Sequence, residues 1–464
     1  MKRISHPGSR TALAALALLS ALAAGCATSA PPSPRPEPIA RVESVFAAPL
    51  RTWVEIGSGG AVVRAIITDP QAACPSIEIE NDSVSRTYPM QVRSARQPNF
   101  EILICEANLP QGARSASIGG TPVPVPRQQL KKIAVIGDTG CRIKCDSNNK
   151  CTVQNCNDPR KWPFATVAAK VATEHPDVVV HVGDYHYRES ACPPDEQKKC
   201  GGSPFGDNWP TWKADFFDPA ALLLAAAPWI AVRGNHEDCE RAGQGWFRFL
   251  DPGPVPSTCN DDPAPYGVPL PGLQLLVLNT STAGKGPAGF YTKAYQDLNG
   301  LAAASPAPSW LVSHHPLWAF VQDKEKLVPV TDELQADSGN SLDANVRLAL
   351  AGHIHLFEAL AFAASPPRAP SVVAGMSGTK LDKPITDELV GQPIAGTTVS
   401  TAGTSDEFAY AIFEPQENGE TKGWRLTVHD TGGKPVMVCE IAGDSLTCKT
   451  SMISAADLKT GGSR

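Results

Sequence analysis

Five short segments carry side chains able to do chemistry. They are "IGDTG" with Asp138, "GDYHY" with Asp184 and Tyr187, "RGNHE" with Asn235, His236 and Glu237, "SHHP" with His314, and "GHIH" with His353 and His355. Carboxylates, imidazoles, an amide and a phenol, with no thiol, form a donor set suited to Fe, Zn or Mn. Two cations held roughly 3.5 to 4 Å apart need a shared anion between them, and a carboxylate has two oxygens to supply. Gly137, Gly183, Gly234 and Gly352 each stand just before a candidate ligand, where a residue without a side chain lets the chain turn sharply. Any one segment alone reads equally as a polar turn.

The segments matter because of what precedes them. Six apolar runs lead up to polar ends: "KIAVIGD", "DVVVHVGD", "WIAVRGN", "LQLLVLNT", "SWLVSHH" and "RLALAGH". Near-continuous Val, Ile and Leu predict strands covered on both faces. Helix candidates such as "WPFATVAAKVATEH" and "DPAALLLAAA" fall between them, which predicts a layered α/β fold. Ligands in such folds gather outside the carboxyl ends of strands, so segments distant in sequence converge there. Residues 42–127 have a different rhythm. Short strand-like runs such as "AVVRAIIT", "SIEIE" and "FEILICEANL" predict an antiparallel β-sandwich domain. "GGTPVPVPRQQ" marks its end, leaving residues 128–464 as a catalytic domain with a C-terminal β extension carrying "FAYAIFE" and "WRLTVHD".

Taken in order, the five motifs resemble those of the calcineurin-like metallophosphoesterases, and among them the purple acid phosphatases, over residues of about 131 to 378 including "VVAGMSGTK". Many members carry Asp-x-His in the first motif; here Gly140 stands at the histidine position. Purple acid phosphatases have the same gap and use a tyrosine three residues after the second-motif aspartate, where this chain has Tyr187. The last motif departs: "GHIHLFEAL" lacks the tyrosine, glutamate and arginine that often come after it. The resemblance implies a four-layer α-β-β-α sandwich. It implies Asp138, Asp184, Tyr187 and His355 around a first metal and Asp184, Asn235, His314 and His353 around a second, with Asp184 bridging. A phenolate ligand favours Fe(III), paired with Fe(II), Zn(II) or Mn(II). The implied reaction is hydrolysis of small phosphate monoesters by a metal-bound hydroxide, with His236 giving a proton to the leaving group and Glu237 supporting it. His315 is either a phosphate contact or a bystander. A phosphodiesterase on the same site and a non-catalytic binding module are the alternatives.

The remaining sequence sets boundaries. A chain of 464 residues with net charge -6, 42% hydrophobic and 19% charged, is globular and lacks the basic footprint of a general nucleic-acid binder. Lys2, Arg3 and Arg10 precede the apolar "TALAALALLSALAA", which ends in "LAAGC". Residues 1–26 thus read as an export signal resembling a lipoprotein type, with Cys26 as the lipidated residue and sole membrane anchor. The Pro-rich linker at 27–41 comes next, and the expected location is the periplasm or the outer membrane surface. Of 13 cysteines, setting Cys26 aside leaves an even number, and an oxidising compartment predicts disulfides. Short-range candidates are Cys74 with Cys105, Cys192 with Cys200, Cys239 with Cys259 and Cys439 with Cys448. Cys141, Cys145, Cys151 and Cys156 fit no common zinc spacing and are also expected to form disulfides. His181, inside a strand, reads as a core histidine, and Arg188 as a solvated residue rather than a phosphate contact.

Overall fold

The apolar runs become the central strands of two facing sheets in the computed structural model, which describes residues 50–450 apart from 83, 331, 419 and 420. In the first sheet Ile133–Ile136, Val178–His181 and Trp229–Ala231 lie side by side and parallel. In the second, Leu273–Leu278, Ser309–Ser313, Val346–Ala351 and Ser371–Ala374 are also parallel neighbours. Every strand in both groups is apolar on both faces because each face meets a different layer. Ile133 and Val135 point between the sheets to pack with Leu275, Val312 and Leu350. Ala134 and Ile136 point the other way, onto Phe164, Val167 and Val171. Leu276 and Leu311 leave the second sheet on its far side to meet Tyr295 and Leu298 of the helix Thr292–Ala304. The order is helix, sheet, sheet, helix, the four layers that the motifs implied. Each buried Leu, Ile or Val contributes about 1.5–3 kcal/mol, so the inter-sheet layer is the main stabilising element.

Local chemistry explains the covering helix Phe164–Thr173. Phe164, Val167, Ala168 and Val171 recur at helical spacing and are buried. It stops before His175, whose φ of 52° is left-handed and ends the run.

The N-terminal segment is an antiparallel β-sandwich. Leu50–Gly57, Gly60–Ile67, Leu103–Leu109 and Gln91–Ser94 face a second sheet of Val84–Pro89, Ser76–Asn81, Ser115–Ile118 and Thr121–Val123. Val54, Val63, Ile77, Ile79 and Ile118 fill the space between them, and Cys74–Cys105 straps it. Its first sheet does not end at the segment boundary. Leu50–Gly57 pairs in parallel with Trp229–Ala231, so sandwich and catalytic layer share one eleven-stranded sheet. The seam carries a buried ion pair between Arg64 and Glu55. Arg64 also donates to the carbonyls of Phe249 at 2.6 Å and Asp251 at 2.7 Å, and Arg93 to those of Phe247 at 2.8 Å and Arg248 at 2.9 Å. Two guanidiniums thus satisfy carbonyls left open at the C-terminal end of the helix Gly243–Phe249. At the opposite edge, Ala409–Asn418 pairs antiparallel with Ile133–Ile136 and begins a four-stranded extension ending at Ser445–Thr450.

Among the described residues six disulfides form, including all four short-range candidates. The cysteine cluster forms a nested pair, Cys141–Cys156 around Cys145–Cys151. Such a number fits an oxidising compartment. The signal segment, linker and Cys26 lie outside the described residues. Among the described residues no helix is long and apolar enough to cross a membrane.

Candidate metal centre

The carboxyl ends of five parallel strands deliver the eight predicted site residues to one place. Asp138 follows Ile133–Ile136, Asp184 and Tyr187 follow Val178–His181, and Asn235 and His236 follow Trp229–Ala231. His314 follows Ser309–Ser313, and His353 and His355 follow Val346–Ala351. Asp138, Asp184 and His353 have positive φ values of 55°, 60° and 72°, so each motif leaves its strand through a sharp, unusual turn. Gly183, at φ 100°, precedes one of these turns, and a Cβ there would lie 2.4 Å from His314 Nδ1. No other residue type fits that approach.

On one side, the Tyr187 phenol oxygen lies 2.7 Å from Asp184 Oδ2, 2.9 Å from Asp138 Oδ1 and 3.0 Å from His355 Nε2. His355 donates its Nδ1 proton to the Lys380 carbonyl at 2.9 Å, so Nε2 presents a lone pair. Three acceptors therefore surround one phenol proton, which can serve only one of them. On the other side, Asn235 Oδ1 lies 3.0 Å from His314 Nε2 and 3.1 Å from His353 Nδ1. His314 Nε2 is 3.2 Å from Asp184 Oδ1. The His314 Nδ1 proton goes to the Val182 carbonyl at 2.8 Å. Lone pairs facing lone pairs, on both sides of one carboxylate, are the chemistry of a cation site, and the residues present fit two cations. Electrostatics agree. Burial works to discharge His314, yet Asp184 raises it to about 9, so at the ring nitrogen facing Asp184 a proton and a cation compete for one lone pair. Burial works against the Asp184 charge, but His314 and His236 hold it well below the usual carboxylate range. Burial and the two aspartates push Tyr187 well above its usual value, which makes its ionisation depend on a nearby cation.

Gly140 and Tyr187 explain each other. A Cβ at Gly140 would lie 2.6 Å from the Tyr185 carbonyl and 2.8 Å from the Tyr187 amide. The loop that delivers the phenol fills the space a histidine at position 140 would need.

His236 lies against the Tyr187 ring, with centroids 3.8 Å apart and the planes tilted by 38°, and its amide donates to Asp184 Oδ1 at 2.9 Å. Its expected support, Glu237, is not its partner. Glu237 is buried and accepts four backbone N–H groups instead: Tyr185 at 2.8 Å, His186 at 2.9 Å, and Asp184 and Gly234 at 3.1 Å. The carboxylate beside His236 is Glu189, 2.6 Å from Nδ1. Because a carboxylate only accepts, Nδ1 carries the proton and Nε2 faces the centre, 3.7 Å from Asp184 Oδ2. Burial lowers His236 to about 4 against the pull of Asp184 and Glu189. Arg241 pairs with Glu189 and donates to the Asn235 carbonyl at 2.9 Å.

Asp215 is a second supporting group with no local sequence signal, since it lies in the helical turn Lys213–Phe217. It accepts from the amides of Tyr187 at 2.8 Å, Arg188 at 3.0 Å and Cys141 at 3.1 Å, tying the first two motifs together. Arg188 is buried and ion-paired to Asp215, so it is neither solvated nor a phosphate contact. His181 is a satisfied core histidine, bonded to Thr139 at 2.9 Å and stacked on Tyr185. His315 joins the second donor group, with its ring 3.9 Å from that of His353 and its Nδ1 buried without a partner. Trp212 and Trp318 are buried side chains.

The calcineurin-like phosphoesterase family model matches residues 131–357, which span all five motifs. No curated protein sequence matches the chain. Among solved structures, the purple acid phosphatase PPD1 from seeds of yellow lupin (Lupinus luteus) has 13% sequence identity and a TM-score of 0.55. That likeness covers 87% of this chain and 74% of the lupin chain, and so includes the N-terminal sandwich as well as the catalytic layers. The family consists of binuclear-metal hydrolases of small phosphoesters. From the motif order, the donor geometry and these comparisons, residues 131–357 form a calcineurin-like phosphoesterase domain, and the chain has the fold of the purple acid phosphatases.

Proposed function

We propose that the protein is an exported phosphatase that hydrolyses phosphate monoesters at a binuclear metal centre. The observation that carries this reading is the division of Asp184: Oδ2 faces Tyr187 and Oδ1 faces His314, so one carboxylate serves both donor groups. Asp138, Asp184, Tyr187 and His355 are the ligands of one metal. Asp184, Asn235, His314 and His353 are those of the other. The phenol favours Fe(III) in the first position, with Fe(II), Zn(II) or Mn(II) in the second. Bound there, the two cations supply water activation near neutral pH and polarisation of phosphoryl oxygens. The chain supplies the rest. The positive-φ turns fix the ligands before substrate arrives, so little reorganisation remains for the reaction. His236 points Nε2 at the centre and gives a proton to the leaving alkoxide, whose bond to phosphorus breaks as the proton arrives. Glu189 holds the ring in that orientation. An anionic phosphoryl group beside the ring raises its pKa from the value set by burial.

The test is metal analysis, a visible spectrum and a pair of substrates. Two metals per chain, a tyrosinate–Fe(III) charge-transfer band that Tyr187→Phe removes, and faster turnover of p-nitrophenyl phosphate than of its bis-ester are expected. Preference for the bis-ester would make the protein a phosphodiesterase. Unchanged turnover after Asp184→Ala would end the binuclear reading.

A further inference from the structure

Arg142 stands four residues beyond Asp138, and its guanidinium carbon lies 5.0 Å from the centroid of the Tyr187 ring. The phenol oxygen of that ring sits between Asp138, Asp184 and His355, so Arg142 is one aromatic ring away from the donor group. Neighbouring cations are neutralised: Arg241 by Glu189, Lys285 by Asp238, Arg188 by Asp215. Among the described residues no carboxylate pairs with Arg142, and its Nε is buried without a partner. A half-buried guanidinium in that state retains unused donors in a planar fork, the geometry that matches phosphate and carboxylate oxygens.

The residue is also rigidly mounted. Its amide donates to Gln154 Oε1 at 3.0 Å, and its carbonyl accepts from the Gln154 amide at 2.8 Å. Gln154 is itself buried and donates to the carbonyls of Lys161 at 2.6 Å and Gly378 at 2.9 Å. The nested disulfides Cys141–Cys156 and Cys145–Cys151 flank Arg142 in sequence on both sides. Fixing the backbone in advance lowers the ordering cost of a contact made by the side chain.

We infer that Arg142 binds an anionic oxygen of the substrate, on the scissile phosphoryl group or on a second acidic group beside it. This rests on reading the centre as a phosphoesterase site. The experiment compares metal-loaded wild type with Arg142→Ala and Arg142→Lys. Inorganic phosphate affinity is read by calorimetry, and KM and kcat are read on p-nitrophenyl phosphate and on a nucleoside diphosphate. Metal content and thermal melts confirm intact protein. The alanine variant is expected to bind phosphate roughly 10- to 100-fold more weakly, with KM rising in step and kcat falling less. Lysine recovers part of the loss, because it keeps the charge but not the fork. A KM effect confined to the diphosphate places the contact on the second acidic group. Unchanged phosphate affinity and unchanged KM on both substrates would overturn the inference. If the wild type hydrolyses no phosphoester, the proposed function fails, while the calorimetry still decides the role of Arg142.

Discussion

Replacing Glu237 by glutamine tests how the centre is held together. The two carboxylate oxygens accept four N–H groups, from Asp184, Tyr185, His186 and Gly234. Glutamine has one acceptor oxygen and one amino group. Its oxygen can replace Oε1 for Tyr185 and His186, and its amino group then meets the N–H groups of Asp184 and Gly234, donor against donor. Two buried bonds are lost, and each stranded N–H costs about 1–3 kcal/mol, for a total of roughly 2–6 kcal/mol. The melting temperature should fall on the order of 5–10 °C. Because the affected amides belong to the loops that carry Asp184 and Asn235, metal affinity should fall roughly 10- to 100-fold as well. Thermal melts followed by circular dichroism, and metal content after dialysis against a weak chelator, read both effects. A variant that melts like the wild type and keeps its metals would refute the assignment of Glu237 as the clamp on these loops.

Two further outcomes are expected from the same geometry. Glu189→Gln leaves His236 without its anionic partner, and kcat on p-nitrophenyl phosphate should drop about 10-fold or more at unchanged metal content, with Glu189→Asp recovering part; equal loss in metal content would instead mark Glu189 as structural. Away from the centre, burial raises the Glu358 carboxyl from 4.5 to about 8, and its backbone partner is the Phe320 amide. The unfolded chain ionises this group near 4.5 while the folded chain keeps it protonated, so its contribution is full below that pH and is lost as pH rises towards 8. Urea midpoints of wild type and Glu358→Gln should therefore diverge across that window, by up to about 1.4 kcal/mol per pH unit; parallel pH profiles would disprove the buried, protonated state.

The residues that face the centre were legible because their types and positions repeat one rule. Asp138, Asp184, Asn235, His314 and His353 each come after an apolar strand and a short turn, and parallel strands bring their carboxyl ends together. The paired faces of "KIAVIGD" and "DVVVHVGD" announced a sheet covered on both sides. Cysteine spacing gave the short-range disulfides, because residues close in sequence have few other partners.

The supports could not be read in this way. Glu237 is next to His236 in the chain, yet the 3₁₀ turn Asn235–Glu237 sends its carboxylate to the 184–186 backbone and leaves His236 to Glu189. Asp215 and Arg188 find each other at a sequence separation of 27. The parallel pairing of Leu50–Gly57 with Trp229–Ala231, which merges the sandwich into the catalytic sheet, joins strands with unrelated sequence signals. Sequence by itself determined which groups stand at the strand ends, since apolar patterning sets where each strand stops and which polar residues come next. Tertiary structure decided which group each of them touches, because a side chain's direction out of a turn, and the distant segment it meets there, depend on packing that no local pattern encodes.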